Sequence, residues 1–418
     1  MARALVQASG LEYAIGGKRI IDSVDLSVDG GELVGVIGPN GSGKTTLLRL
    51  LSGVLTPTAG AIHLSGRALV DLRHRERARL VAFMSQEAAQ GFPFTVMEIL
   101  LMGRYPHLGR FERESSADRE LACRILSYVG LSGFEERLSS GLSGGERQLM
   151  LFARALVQEA SLLLLDEPSS SLDIRHQDRI FSMAQELARE GRAVMTVVHN
   201  LDIAAHYCSR LVLLDAGRIA ASGRAEEVLT GETLERVYRV KTLISPSAAT
   251  GSITVTVIPP RAEGGGVRVH LIGGAGSAVN LTRELFRLGH SLTGGITHEF
   301  DSDEKLWRSL GVQCASVGAF SRISEEDVER ASRLVESADL TILCSFPVGP
   351  GNIGNMTLAR RAHRLVVLKS SREDLSRSFF TAEGRELYDA LCLGAESMSY
   401  DEVLDFLRRE FSPAGDRT

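Results

Sequence analysis

Eight consecutive residues, Gly38, Pro39, Asn40, Gly41, Ser42, Gly43, Lys44 and Thr45, constrain this chain more than any other stretch. They fit G-x-x-x-x-G-K-[ST], follow a strand-like apolar run at 33–37 and precede a helical pattern at 46–51. Glycines let the backbone bend until several N–H groups point inward, and the helix adds the positive end of its dipole, so the loop suits phosphate. In such a loop Lys44 reaches the β- and γ-phosphates and the Thr45 hydroxyl faces Mg²⁺, with Thr46 counted among the nucleotide-binding residues. The plainer alternative is a glycine-rich turn with a surface lysine.

A carboxylate element follows at Leu162, Leu163, Leu164, Leu165, Asp166, Glu167 and Pro168. Four leucines in a row suit a strand buried on both faces, which delivers two acids to the sheet edge where a nucleotide lies. Asp166 is expected to hold Mg²⁺, directly or through water, and Glu167 to polarise the attacking water as general base. The expectation is thus an ATP site served by Mg²⁺.

The chain has 418 residues, enough for two or three domains, with 44% hydrophobic and 24% charged residues as in ordinary globular proteins. Its net charge of −5 argues against holding nucleic acid or anionic lipid through overall positive charge, so no nucleic-acid partner is expected. No apolar run approaches the about 18 residues a membrane helix needs, and the N-terminus lacks a signal-like apolar region. The five cysteines are scattered without metal-ligand spacing, so a reducing compartment without disulfides or structural zinc is expected.

Between these two elements lies Leu142, Ser143, Gly144, Gly145 and Glu146, followed by Arg147 and Gln148. This string resembles the signature motif of ATP-binding cassette (ABC) proteins. Residues 1–245 are accordingly expected to form an ABC nucleotide-binding domain, a P-loop α/β fold with a helical subdomain. Ser143, Gly144 and Gly145 offer a hydroxyl and backbone N–H groups at a helix start, which suits a γ-phosphate. The resemblance implies that they bind the ATP held by a partner subunit, in a head-to-tail homodimer enclosing two ATP molecules. It further implies that Tyr13 stacks on adenine, that Gln86 links Mg²⁺ and water to the helical subdomain, that Asp173 crosses the dimer interface and that His199 senses the γ-phosphate. Leu149 departs from the arginine of many relatives, with an expected effect on packing more than chemistry.

Three further strings are similar to those of bacterial importers of iron-siderophores, haem and cobalamin: residues 103–111, residues 167–168 with 172–177, and residues 217–219 with 221–223. That resemblance implies an ATPase subunit on the cytoplasmic face of the membrane, docked through residues 86–111 on a separate permease and served indirectly by an extracytoplasmic substrate-binding protein. Two other classes remain open, a soluble ABC ATPase acting as a mechanical clamp on ribosome or DNA and the ATPase half of an exporter. The clamp class usually carries two cassettes or a long coiled-coil insertion and the exporter commonly has a fused permease, none of which is visible here.

Residues 246–266 read as a linker, with Ser245, Pro246, Ser247, Pro259, Pro260 and Gly264 to Gly266 around a short β-like run at 253–258. Beyond it, residues 267–418 show five apolar runs separated by helical patterns, the pattern of a smaller Rossmann-like α/β domain with a regulatory role. The first run leads into Gly273, Gly274, Ala275, Gly276 and Ser277 and then a helix, an arrangement that cradles phosphate, although Val279 breaks the full dinucleotide fingerprint. Asp301, Asp303 and Glu304 are candidates for ribose hydroxyls, and residues 346–355 add a glycine- and proline-rich loop. These loops are expected to meet at the strand ends and hold a small-molecule or nucleotide ligand; the alternative is that they only make tight turns.

Overall fold

The computed structural model describes residues 4–85, 94–109, 111–169, 172–247, 249–258, 266–369 and 379–411. The chain divides into two compact units, Met1–Val257 and Ile258–Thr418.

The first unit opens with two long strands, β1 (Val6–Ile15) and β2 (Lys18–Val28), before β3 (Leu33–Ile37), which feeds the glycine loop and the helix Lys44–Leu51. Next come β4 (Ala59–Leu64), β5 (Arg67–Ala68), β6 (Val81–Met84), β7 (Leu162–Leu165), β8 (Ala193–Val197), β9 (Arg210–Asp215) and β10 (Arg218–Gly223). Strands β2-β1-β4-β5 make an antiparallel sheet, whereas β10-β9-β3-β8-β7-β6 make a six-stranded sheet that is parallel except at the β10 edge. The four leucines of β7 are all buried, and pleating divides them: Leu163 and Leu165 join one core, Leu162 and Leu164 the other. The first of these cores is completed by the helices Val96–Met102, Ser116–Tyr128 and Gly144–Val157, the second by the antiparallel sheet and the helix Lys44–Leu51. Leu149 is buried in the former, a packing position.

The segment read as a linker is partly structured. Its β-like run is β12 (Ile253–Val257), paired antiparallel along its whole length with β11 (Thr242–Pro246). The hairpin also grips the helix Leu201–Tyr207: the Val255 N–H donates to Asp202 Oδ1 at 2.8 Å, and His206 Nδ1 meets Ser252 Oγ at 2.8 Å. The apolar alternation of β12 thus belongs to the first unit, which extends to Val257.

The second unit contains β13 (Arg268–Ile272), β14 (Ser291–His298), β15 (Gln313–Val317), β16 (Leu340–Leu343), β17 (Leu365–Leu368) and β18 (Glu396–Met398). They form one parallel sheet in the order β15-β14-β13-β16-β17-β18, doubly wound from its centre. Helices Val279–Arg287 and Glu325–Glu336 lie in its crossovers, the latter capped by Ser324 and Asp327 through reciprocal hydrogen bonds. The sixth strand, β18, is three residues long and mostly exposed, too short and polar for an apolar-run signal.

Candidate nucleotide site and the second glycine loop

Strand order decides the site. Along the C-terminal edge of β3, β8 and β7, which are direct neighbours, the chain emerges as loop 38–45, as His199 and as Asp166 with Glu167. Residues far apart along the chain become neighbours because these strands pair. Gln86 follows β6 and lies outside the described residues.

The loop itself needs its glycines. Gly38, Gly41 and Gly43 all have positive φ, and a Cβ on Gly38 would stand 2.1 Å from the Leu214 carbonyl oxygen. Lys44 is buried, and its Nζ donates to the carbonyls of Gly38 and Pro39, each at 2.9 Å, so the ammonium is held over the loop. Burial pushes its pKa down, opposed by the nearby Glu167 and Asp166 carboxylates. Ser42 is buried too, its Oγ without a hydrogen-bond partner among the described residues, whereas Asn40 and Gly41 are exposed and Pro39 and Thr46 half-buried.

Thr45 Oγ1 donates to Asp166 Oδ1 at 2.9 Å, and the second oxygen, Asp166 Oδ2, is buried without a hydrogen-bond partner among the described residues. Burial raises the Asp166 pKa and the Thr45 hydrogen bond opposes it. A hydroxyl and a carboxylate side by side, with one buried oxygen unsatisfied, are the hard oxygen donors that Mg²⁺ takes. Glu167 has φ 52°, a left-handed conformation rare outside glycine, and its Oε1 lies 2.5 Å from His199 Nε2. Tyr13 is half-buried in β1, opposite Ile21 of β2, and packs on the core behind the loop.

Ser143 caps the helix Gly144–Val157: its Oγ accepts from the Glu146 N–H at 3.3 Å while Glu146 Oε2 accepts from the Ser143 N–H at 2.7 Å. These bonds hold the Glu146 carboxyl below its usual range. Asp173 caps the helix Ile174–Arg189, accepting from the His176 N–H at 2.9 Å and meeting His176 Nδ1 at 2.7 Å, which lowers its pKa. A Cβ on Gly145 would stand 3.2 Å from the His176 ring, so the signature turn and the Asp173 cap pack together. Among the described residues no hydrogen bond joins this pair to loop 38–45.

Residues 21–170 match the ABC transporter family, and residues 292–404 match the MJ0874 family. A cobalamin import ATP-binding protein of Halobacterium salinarum is 38% identical over 356 residues, 84% of this chain and 89% of the relative. The chain belongs to the ABC transporter ATP-binding family. A hemin import ATP-binding protein of Rhodopseudomonas palustris is 42% identical over 244 residues, 56% of this chain and 88% of the relative. Among solved structures, an inward-facing transporter of metal-chelate type aligns with TM-score 0.54 and 28% identity, over 62% of this chain and 98% of that one. The ADP conformation of an ATP-binding cassette aligns with TM-score 0.51 and 26% identity, over 57% and 98%. This ABC protein is an ATPase of the import class, converting ATP and water to ADP and phosphate.

Two features of the ABC ATPase escape motif reading. Tyr238, ending the helix Gly231–Tyr238, lies against the Gly38 backbone; burial pushes its phenol up to about 12, and a hydrogen bond from Gly38 opposes the shift. Arg104, within the importer-like string, is a half-buried anchor: it donates to Asp118 Oδ1 at 2.8 Å, to the Val157 carbonyl at 2.9 Å and to Glu159 Oε2 at 2.6 Å. Hydrogen bonds from Ser115, with Arg104, hold Asp118 at about 2. The same string leaves Tyr105 and Phe111 exposed.

The second glycine loop is already filled. Asp301 Oδ2 accepts from the Ala275 N–H at 2.8 Å, and Asp303 Oδ1 accepts from the Ala278 N–H at 3.0 Å at the start of the helix Val279–Arg287. Asp303 and Glu304 are buried, so these acids, expected to face a ribose, instead turn inward, and Asp301 caps the helix Ser302–Ser309. Burial, with the Asp301 charge beside it, raises Asp303 to about 6. A phosphate here would have to displace two carboxylates, which corrects the expectation of a phosphate cradle.

Proposed function

We propose that this ATPase drives import of a cobalamin- or hemin-type metal chelate, working as a homodimer on a separate transmembrane permease. The observation that carries the proposal is the meeting of loop 38–45, Asp166, Glu167 and His199 along three adjacent strand ends, with the signature turn on a separate helix. One chain then supplies half of each composite site: Lys44 and the loop amides bind the phosphates, Tyr13 receives the adenine, and Ser143, Gly144 and Gly145 cap the γ-phosphate of the partner's ATP. Thr45 and Asp166 would hold Mg²⁺, which supplies charge neutralisation at the β- and γ-oxygens; Gln86 is assigned to the same ion through the family resemblance. Glu167 takes the proton from the attacking water, and His199 Nε2 donates to that carboxylate and keeps it aimed. Asp173 serves the dimer interface.

The names of the relatives support the substrate class, and the exposed Tyr105 and Phe111 suit docking on the permease, with an extracytoplasmic binding protein delivering the chelate. Such a subunit sits on the cytoplasmic face of the membrane; among the described residues no helix is long and apolar enough to cross it. Residues 267–418 serve as a regulatory unit. The hairpin β11–β12 grips the helix that follows His199, and the chain leaves the first unit through it, a covalent route toward the sensing histidine.

The test is ATP turnover of purified full-length protein. Glu167→Gln is expected to keep ATP binding, lose at least about 100-fold in turnover and accumulate a dimer, whereas Lys44→Ala loses binding itself. Turnover near wild type in Glu167→Gln overturns the assignment of the base. Uptake of labelled cobalamin and hemin by cells with and without the chain tests the substrate class.

A further inference from the structure

The second unit carries a crevice of about 580 Å³ at the C-terminal edge of its sheet, formed by the turns that follow β14, β15 and β16. Three phenylalanines stand on it, Phe300, Phe320 and Phe380, with exposures of 74%, 101% and 73%. Such rings are usually buried, and three converging on one crevice make an apolar patch that calls for an occupant. Phe300 and Phe320 also have φ of 72° and 62°, a left-handed backbone that a bulky side chain adopts only at a cost. The neighbouring turns are pinned: His298 Nε2 meets the Ser321 carbonyl at 2.8 Å, and the Phe380 N–H donates to the Val348 carbonyl at 2.9 Å.

Charge narrows the occupant. Glu299 and Asp301 line the crevice, and among its described lining residues none is Lys or Arg. The adjoining glycine loop, the usual seat of a phosphate in a doubly wound sheet, spends the amides of Ala275 and Ala278 on Asp301 and Asp303. A nucleotide phosphate would therefore meet carboxylates and no counter-charge. Stacking on the phenylalanines asks only for a flat π surface.

We propose that this crevice binds a flat aromatic compound that carries no anionic group, stacked against Phe300 and Phe320. The proposal rests on the reading of the second unit as a regulatory unit, for which it supplies the ligand class, and is independent of the ATP site. Riboflavin, a neutral flat tricycle, and FMN, the same ring with one phosphate, are the probes, titrated by flavin fluorescence against the full chain saturated with ADP. The expected result is riboflavin binding at least tenfold tighter than FMN, weakened at least fivefold by Phe300→Ala or Phe320→Ala and unchanged by Phe111→Ala, an exposed ring of the other unit. Because both rings face solvent, ATP turnover checks that the variants stay folded. No riboflavin binding, equal binding by the Phe300→Ala and Phe320→Ala variants, or FMN binding as tightly as riboflavin overturns the proposal. Failure of the ATPase reading would appear separately, as absent turnover in the wild-type chain.

Discussion

The two units present the same device with opposite outcomes. In each, a central parallel strand ends in a glycine-rich turn that starts a helix: β3 into residues 38–45, β13 into residues 273–277. In the first, the neighbouring acid, Asp166, binds the Thr45 hydroxyl and leaves an oxygen unsatisfied, while Lys44 sits over the loop. In the second, the neighbouring acids, Asp301 and Asp303, enter the turn and accept its N–H groups. A glycine turn before a helix therefore makes a concentration of N–H donors, and whichever anion reaches it, external or internal, decides its use. The Halobacterium match of 356 residues extends well into the second unit, whereas the Rhodopseudomonas match of 244 residues is shorter than the first unit alone.

Breaking the first turn should have the larger effect. Gly38→Ala drives a Cβ into the Leu214 carbonyl and should cost roughly 100-fold or more in ATP turnover, since the loop must shift by about an ångström; a turnover within a few-fold of wild type would show that the turn tolerates displacement. The second turn is probed through its internal anion. Asp303 has a folded pKa raised to about 6, so the stability linked to its neutral form is present at low pH and lost as pH rises from about 4 through 6. Asp303→Asn should remove that dependence, a difference of up to about 3 kcal/mol between wild type and variant across the window, read from urea denaturation at pH 4 and 7. Parallel curves for the two proteins would mean that Asp303 ionises freely. Smallest is Gly276→Ala: φ is 79°, but the added Cβ meets nothing nearer than 3.5 Å, so a loss of about 1 kcal/mol with unchanged ATP turnover is expected.

Much of the first site was legible because its chemistry is compressed into short strings whose local geometry is self-determined. Residues 38–45 must turn where the glycines are, Leu162 to Leu165 must be buried, and Ser143 with Glu146 must cap a helix. What escaped were contacts between distant segments: Tyr238 against Gly38, Arg104 joined to Val157 and Glu159, and the hairpin β11–β12 on the helix after His199. None of these partners has a signature, since a tyrosine, an arginine or a short apolar alternation reads alike in many settings.

Sequence alone determined that a phosphate-binding turn, two strand-end acids and a signature helix start exist in one chain, because each follows from residues within a few positions of one another. Tertiary structure alone decided which of them meet. The order β3-β8-β7 brings loop 38–45, His199 and Glu167 to one edge, and the start of the helix after β14 carries Asp301 and Asp303 into the second turn. The physical reason is that strand pairing and the competition among anions for exposed N–H groups are settled across the fold, by which segments pack together, and not by the local spacing that a sequence displays.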